Sequence, residues 1–306
     1  MLKTLILLLT INLLASNYPK IELNQKNLKK IIKELTTSKV KRNHENLKSL
    51  NKTAEFIKSE FKKHNLELQE QNFLVNKKTY KNIIGVLNKD KKKRIIIGAH
   101  YDVYGEFPGA DDNASGVAAL IELARIMKKY HKNSEYRFDF VAYSLEEPPF
   151  FGTEDMGSYI HAKSLKDKNI DVRAVIVLDM IGYFSDEKNS QDYPLDLMKL
   201  TYPSVGNFIA VVANTNYRVL VKEVKSHISK ANIKVESLVA PAFLKGVDFS
   251  DHRNYWKFGY DAIMITDTAF YRNPNYHTKN DTINTLNFDK MSEVIKGIIY
   301  TLINIK

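Results

Sequence analysis

Apolar residues recur three and four positions apart through LKKIIKEL and again through LKSLNKTAEFIKSEFKKH, so residues 23–63 read as mostly helical, with a break near SKVKRNHEN. From Leu66 the pattern changes. LELQEQNFLV alternates, YKNIIGVL follows, and both predict strands. Residues 94–99, RIIIGA, form a short unbroken apolar run ending at His100, as in a strand covered on both faces. A helix is expected from about Asn113 to Tyr130, with Val117, Leu120, Ile121 and Ala124 on one face. The strand RFDFVAYS then leads to Glu146, a helix follows near 155–166, and the strand RAVIVLD ends at Asp179. Further strands are predicted at FIAVVAN, IKVESLV and DAIMIT, before a last helix from about Asp289 to Ile305. Strands alternating with helices at this spacing predict an α/β fold around a mostly parallel sheet. No repeat or low-complexity linker interrupts the pattern, so residues 17–306 read as one domain.

The first residues do not fit that alternation. Lys3 precedes an apolar stretch from Leu5 to Leu14, and the small pair Ala15 and Ser16 follows. This is the layout of a secretory signal peptide over residues 1–16, and it implies a periplasmic or secreted protein. The apolar run is about half the length that spans a bilayer, and Asn12 interrupts it. The alternative is an uncleaved N-terminal membrane anchor; no stable membrane insertion is expected elsewhere. With no cysteine the chain has neither disulfides nor a lipid-attachment thiol. The formal charge of +11 raises the question of a nucleic-acid partner. The lysines are spread through the predicted helices, and NKDKKKR reads as a solvated turn, so no nucleic acid is expected.

His100, Glu146, Glu147 and Asp179 all fall at or just beyond the carboxyl ends of predicted buried strands, where open α/β sheets bind their ligands. Together with Asp112 in GADDN and His277 in YHTKNDT they make a candidate metal set: His100, Asp112, Glu147, Asp179 and His277. Two imidazoles and three carboxylates suit zinc or a similar divalent ion without any thiolate. Five ligands are too many for one open tetrahedral zinc, but they suit two ions bridged by a carboxylate, an arrangement able to hydrolyse amides. Of the adjacent pair Glu146 and Glu147, one binds metal and the other remains free as general base. Asp102, two residues after His100, is placed to hold the second imidazole nitrogen. The DD pair before a helix also suits capping, and Asp111 is expected to cap or to face solvent.

These motifs, from KRNHENLKSLNKTAEFI through IIIGAHYDV, PGADDNASGVAALIELAR, SLEEPPFFGTEDMGS, VLDMIGY and FSDHRNYWKFGY to YHTKNDT, resemble those of the zinc aminopeptidases of peptidase family M28. The resemblance implies a three-layer α/β/α sandwich with a mostly parallel, mixed central sheet. It also implies two Zn2+ ions, peptide substrates, and hydrolysis of N-terminal residues. On it, His100 and Asp179 hold one zinc, Glu147 and His277 the other, Asp112 bridges them, Glu146 is the general base and Asp102 the partner of the first histidine. The segment Ser250 to His252 matches a family loop near the metals, with no role assigned here. Some secreted members place an oxyanion-stabilising tyrosine just before that loop. This chain has Gly246, Val247, Asp248 and Phe249 there. A glutaminyl cyclase, a single-zinc relative on the same fold, is the alternative activity. DDNASG, FFGTEDMGS and the complete ligand set match the peptidase side.

Overall fold

The computed structural model describes residues 18–306, so the signal peptide expected at 1–16 lies outside the described residues. Two helices come first, α1 (Gln25–Thr36) and α2 (Leu47–Lys63). Asn24 caps α1 by accepting the Lys26 amide at 3.0 Å. Leu28, Ile31, Ile32 and Leu35 of α1 and Leu50, Ala54, Ile57 and Phe61 of α2 form buried stripes at helical spacing. The chain continues through β1 (Glu67–Val75), β2 (Lys78–Leu87), β3 (Arg94–His100), α3 (Gly116–Met127), β4 (Arg137–Tyr143) and α4 (Gly157–Asp167). It ends with β5 (Val172–Leu178), β6 (Phe208–Ala213), α5 (Arg218–Ile228), β7 (Lys234–Val239), α6 (His252–Lys257), β8 (Ala262–Thr266) and α7 (Phe288–Asn304).

The strands form one sheet in the order β1-β2-β4-β3-β5-β8-β6-β7. Its centre, β4-β3-β5-β8, is parallel. A β1–β2 hairpin adds antiparallel strands on one side, and on the other β6 pairs antiparallel with β8 while running parallel to β7. The sheet is therefore mixed around a parallel centre, as the sequence and the resemblance predict.

Alternation inside the unbroken apolar runs sorts the layers. Ile95, Ile97 and Ala99 of β3, with Phe138 and Phe140 of β4 and Ile176 of β5, share a core with residues of α1, α2, α3, α5 and α7. Ile96, Val141, Val175 and Val177 face the opposite way, against Ala162 and Leu165 of α4 and Tyr255 of α6. Period-two side-chain direction thus makes three layers from runs that read as uniformly apolar. Over β6 and β8 the second face is different: Phe208, Val212 and Met264 pack on the loop residues Ala240, Leu244 and Val247 and on Trp256. Loops rather than a long helix cover that area, which leaves room for a pocket. No helix among the described residues is long and apolar enough to cross a membrane.

Two boundaries differ from the sequence reading. β4 stops at Tyr143, three residues before Glu146, and Leu145 takes a left-handed φ of 63°. Regular helix in α3 begins at Gly116 rather than Asn113, because Asp112 (φ −103°, ψ 91°) and Asn113 (φ −130°, ψ 42°) are not helical.

Candidate metal centre and substrate pocket

The turn ADDNAS alternates its duties. Met180, Ile181, Gly182 and Tyr183, which follow Asp179, donate their amides in succession to Asn113 Oδ1 (3.2 Å), Ser115 Oγ (3.1 Å), Asp111 Oδ1 (2.9 Å) and Asp267 Oδ2 (2.8 Å). A loop whose backbone donors are all met by side chains is fixed despite having no ladder of its own. The odd positions 111, 113 and 115 therefore lock the Asp179 loop, and Asp112 between them is left to face the site.

Asp111 corrects the expectation of capping or solvent exposure. It is fully buried, and its second oxygen accepts Asn273 Nδ2 at 2.7 Å. Burial, reinforced by the neighbouring Asp267 carboxyl, holds its pKa well above the usual carboxylate range, while burial raises Asp267 to about 6. Fixed donors, the Gly182 amide and the Asn273 side chain, rather than solvent, surround the Asp111 carboxyl. Capping passes to Asn113, whose Oδ1 accepts the Gly116 amide at 3.1 Å.

Beyond the strand ends the remaining groups converge. Asp112 Oδ1 lies 3.3 Å from His100 Nε2, and its other oxygen, Oδ2, lies 3.0 Å from His277 Nε2. His100 Nε2 is 3.8 Å from Asp179 Oδ1 and 3.8 Å from Glu146 Oε2, and His277 Nε2 is 3.2 Å from Glu147 Oε2. Despite these distances, His100 Nδ1 and Nε2, Glu147 Oε1 and His277 Nε2 are buried without a hydrogen bond among the described residues. Donor atoms of His100, Asp112 and Glu147 all lie within 4.8 Å of one another. Buried polar atoms are ordinarily bonded, so converging imidazole and carboxylate donors without partners fit a metal ion.

The electrostatics agree. Burial lowers the His277 pKa, but Asp112 and Glu147 prevail and raise it to about 10. His100 is likewise driven well above its usual value against burial, chiefly by Glu146. Asp112 is held well below the carboxylate range by His100 and His277 in spite of burial. Glu147 is raised to about 7 by burial and Asp112. Such a concentration of negative charge is one a cation relieves.

Asp102 behaves differently from the sequence expectation. Its Oδ1 is 3.7 Å from His100 Nδ1, too long for a hydrogen bond. Its two oxygens accept the amides of Glu146 (3.2 Å) and Glu147 (3.1 Å), so it aims the glutamate pair.

Sequence reasoning missed Tyr276. The His277 ring is sandwiched between Tyr276 (centroids 3.8 Å apart, 16° between planes) and Tyr104 (4.1 Å, 9°). Burial, followed by Asp112, Glu147, Glu146 and Asp179, raises the Tyr276 hydroxyl pKa, so it remains a proton donor. The adjacency of Tyr and His in NPNYH was the available signal. Asp251 was noticed only as part of a loop; it is buried, and both its carboxylate oxygens lack hydrogen-bond partners among the described residues.

Asp112, Glu146, Glu147, Asp179, Tyr276 and His277 line one part of a cavity of about 260 Å³. It extends over the loop-covered face, where Phe208, Met264, Phe249, Phe270 and Met198 give it apolar walls. A cluster of histidines and carboxylates at the carboxyl edge of an α/β sheet, opening on an apolar pocket, defines the class: a metal-dependent hydrolase.

Comparison with known proteins narrows the class. A family model described as Peptidase family M28 matches residues 82–302, and the chain belongs to that family. It is a metallopeptidase of that family. It is 42% identical over 288 residues to the uncharacterized protein YfbL of Escherichia coli K12, covering 91% of this chain and 88% of that one. Leucine aminopeptidase 1 of Blastomyces gilchristii is 28% identical over 72% of this chain, a match that spans 55% of the fungal protein. BSAP, a zinc aminopeptidase from Bacillus subtilis, shares the fold with a TM-score of 0.72 at 15% identity, over 93% of this chain and 95% of that one. A glutaminyl cyclase of Bacteroides thetaiotaomicron shares it too, with a TM-score of 0.68 at 17% identity over 94% and 99%.

Proposed function

We propose that this chain is a two-zinc aminopeptidase that removes N-terminal residues, preferentially apolar ones, from peptides outside the cytoplasm. The observation that carries the reading is the split of Asp112: one oxygen lies 3.3 Å from His100 and the other 3.0 Å from His277. One carboxylate thus spans two donor sets, His100 with Asp179 and His277 with Glu147, each of which would hold one ion. Bound zinc supplies Lewis-acid polarisation of the scissile carbonyl and a water of lowered pKa.

The protein groups do the rest. Glu146, which lines the cavity beside His100, takes the proton of the attacking water and returns it to the leaving amine. Asp102 fixes that geometry through the amides of Glu146 and Glu147. The Tyr276 hydroxyl, left as a donor beside the same carboxylates, stabilises the oxyanion in place of the tyrosine missing from 246–249. The apolar cavity beside these carboxylates receives the first side chain of the substrate. The signal-peptide layout of residues 1–16 supports a periplasmic or secreted site of action.

The glutaminyl cyclase likeness means the fold alone does not choose between activities. The second donor set favours hydrolysis. The test is to assay purified protein on aminoacyl p-nitroanilides, their N-acetylated forms and an N-terminal glutaminyl peptide, before and after chelation and zinc return. Free-amine substrates alone should be cleaved, with activity lost on chelation and restored at two zinc per chain. Equal cleavage of acetylated substrates, or cyclisation of the glutaminyl peptide without nitroaniline release, would overturn the reading.

A further inference from the structure

One buried cation belongs to the site although it lies before the family-matched residues. Arg42, in the connection between α1 and α2, is 2% exposed. Its guanidinium donates to the carbonyls of Leu35 (2.8 Å), Tyr101 (2.9 Å), Pro108 (2.8 Å) and Gly109 (2.7 Å). Tyr101 directly follows His100, and Pro108 and Gly109 lead into the aspartate pair. On the other side of that turn the Asp281 carboxylate accepts the amides of Asp111 (2.8 Å) and Asp112 (3.0 Å). Asp281 lies four residues after His277 and ties itself to the turn again through its carbonyl, which accepts the Ala110 amide at 3.2 Å. The carbonyls of the turn are therefore gripped by a cation and its amides by an anion. Gly109 permits the close approach: it has a φ of 60°, and a Cβ there would come within 2.3 Å of the Asp112 carbonyl oxygen.

We propose that Arg42 is a positioning residue of the metal centre: it fixes the end of β3 against residues 108–112 and so sets His100 relative to Asp112, while Asp281 sets Asp112 relative to His277. The N-terminal helical hairpin thereby becomes part of the catalytic apparatus rather than a cover for the sheet. The acceptors call for a guanidinium. Its planar donors reach carbonyls from three separate segments at once, and a lysine ammonium, with three donors at one point, does not. Burial lowers the Arg42 pKa to about 10, so the group is a cation at neutral pH, with Asp281 and Asp112 as its leading favourable charges.

The inference rests on the two-zinc reading, and one set of measurements separates the two. Wild type, Arg42→Lys and Asp281→Asn are stripped of metal and titrated with zinc against a fluorescent chelator. The zinc-free melting temperature, kcat and KM are measured on the same preparations. Wild type should take up two zinc ions. Both variants should bind zinc about 10–100-fold more weakly, as when groups supporting metal ligands are removed. At saturating zinc kcat should fall with KM within about twofold, because the pocket is untouched while the reacting groups are misaligned. If Arg42→Lys does not fold, Asp281→Asn decides from the opposite side of the turn. Zinc affinity unchanged in the folded variants, or a kcat loss that only follows a fall in melting temperature, overturns the clamp. A wild type that takes up no zinc overturns the two-zinc reading instead, and the clamp with it.

Discussion

His100 and His161 are buried to nearly the same degree, 1% and 3% exposed, one at the end of β3 and the other in α4. His161 Nδ1 pairs with the Tyr255 hydroxyl at 2.7 Å, and that hydroxyl meets Tyr143 at 2.5 Å. Burial and then the nearby Arg94 and Arg137 lower its pKa to about 3, so it is a neutral, satisfied core residue. His100 has no hydrogen-bond partner among the described residues for either nitrogen and faces carboxylates, which drive its pKa the other way. Burial is common to both. What marks the site is unpaired donors under a uniform sign of charge.

The most damaging way to probe this contrast is Asp112→Asn. It removes the one group shared by both donor sets, so elemental analysis should find both ions lost, and turnover should fall further than the about 10⁴-fold that general-base removal alone can cost. Retention of one ion with half-normal activity would argue against a bridging role.

Glu146→Ala should come next. With the donor sets intact, both ions should remain while kcat drops about 10²–10⁴-fold. Metal loss in this variant and not in Glu147→Ala would reverse the roles given to the two glutamates.

Tyr276→Phe leaves the ring that stacks on His277 and deletes only the hydroxyl. We expect kcat to fall about 10²–10³-fold with KM and zinc content nearly unchanged. A rise in KM alone would make Tyr276 a pocket wall.

At the other histidine the expected effect is on stability and is the smallest. In the unfolded chain His161 takes a proton below about pH 6.5, whereas in the fold it does not until about pH 3. The fold is therefore penalised as pH falls through that window, by at most about 1.4 kcal/mol per pH unit. His161→Gln should flatten the acid side of the melting-temperature profile and leave kcat at pH 7 unchanged. An equally steep profile would show that His161 protonates in place.

What the sequence made legible was local. Helical stripes such as Leu28, Ile31, Ile32 and Leu35, and the apolar runs of β3 and β5, declare themselves through burial pattern. The residues gathered at the strand ends were legible too, because a strand that ends in a charged or imidazole side chain must deliver it to the sheet edge. The rest depends on pairing between distant segments. The Asp111–Gly182 and Asp111–Asn273 hydrogen bonds join residues 71 and 162 apart, and Arg42 reaches Gly109 across 67. Such partners leave no periodic trace, so Asp111 read as a cap and Arg42 as part of a basic break. The antiparallel placement of β6 beside β8 was hidden for the same reason.

The alternation in the aspartate turn has an evolutionary consequence. Positions 111, 113 and 115 secure the loops, and position 112 meets the chemistry. A single-base change in the codon for Asp112 yields asparagine, close in shape, while every locking contact made by its neighbours can persist. Loss of catalysis is thus separable from loss of architecture by one step.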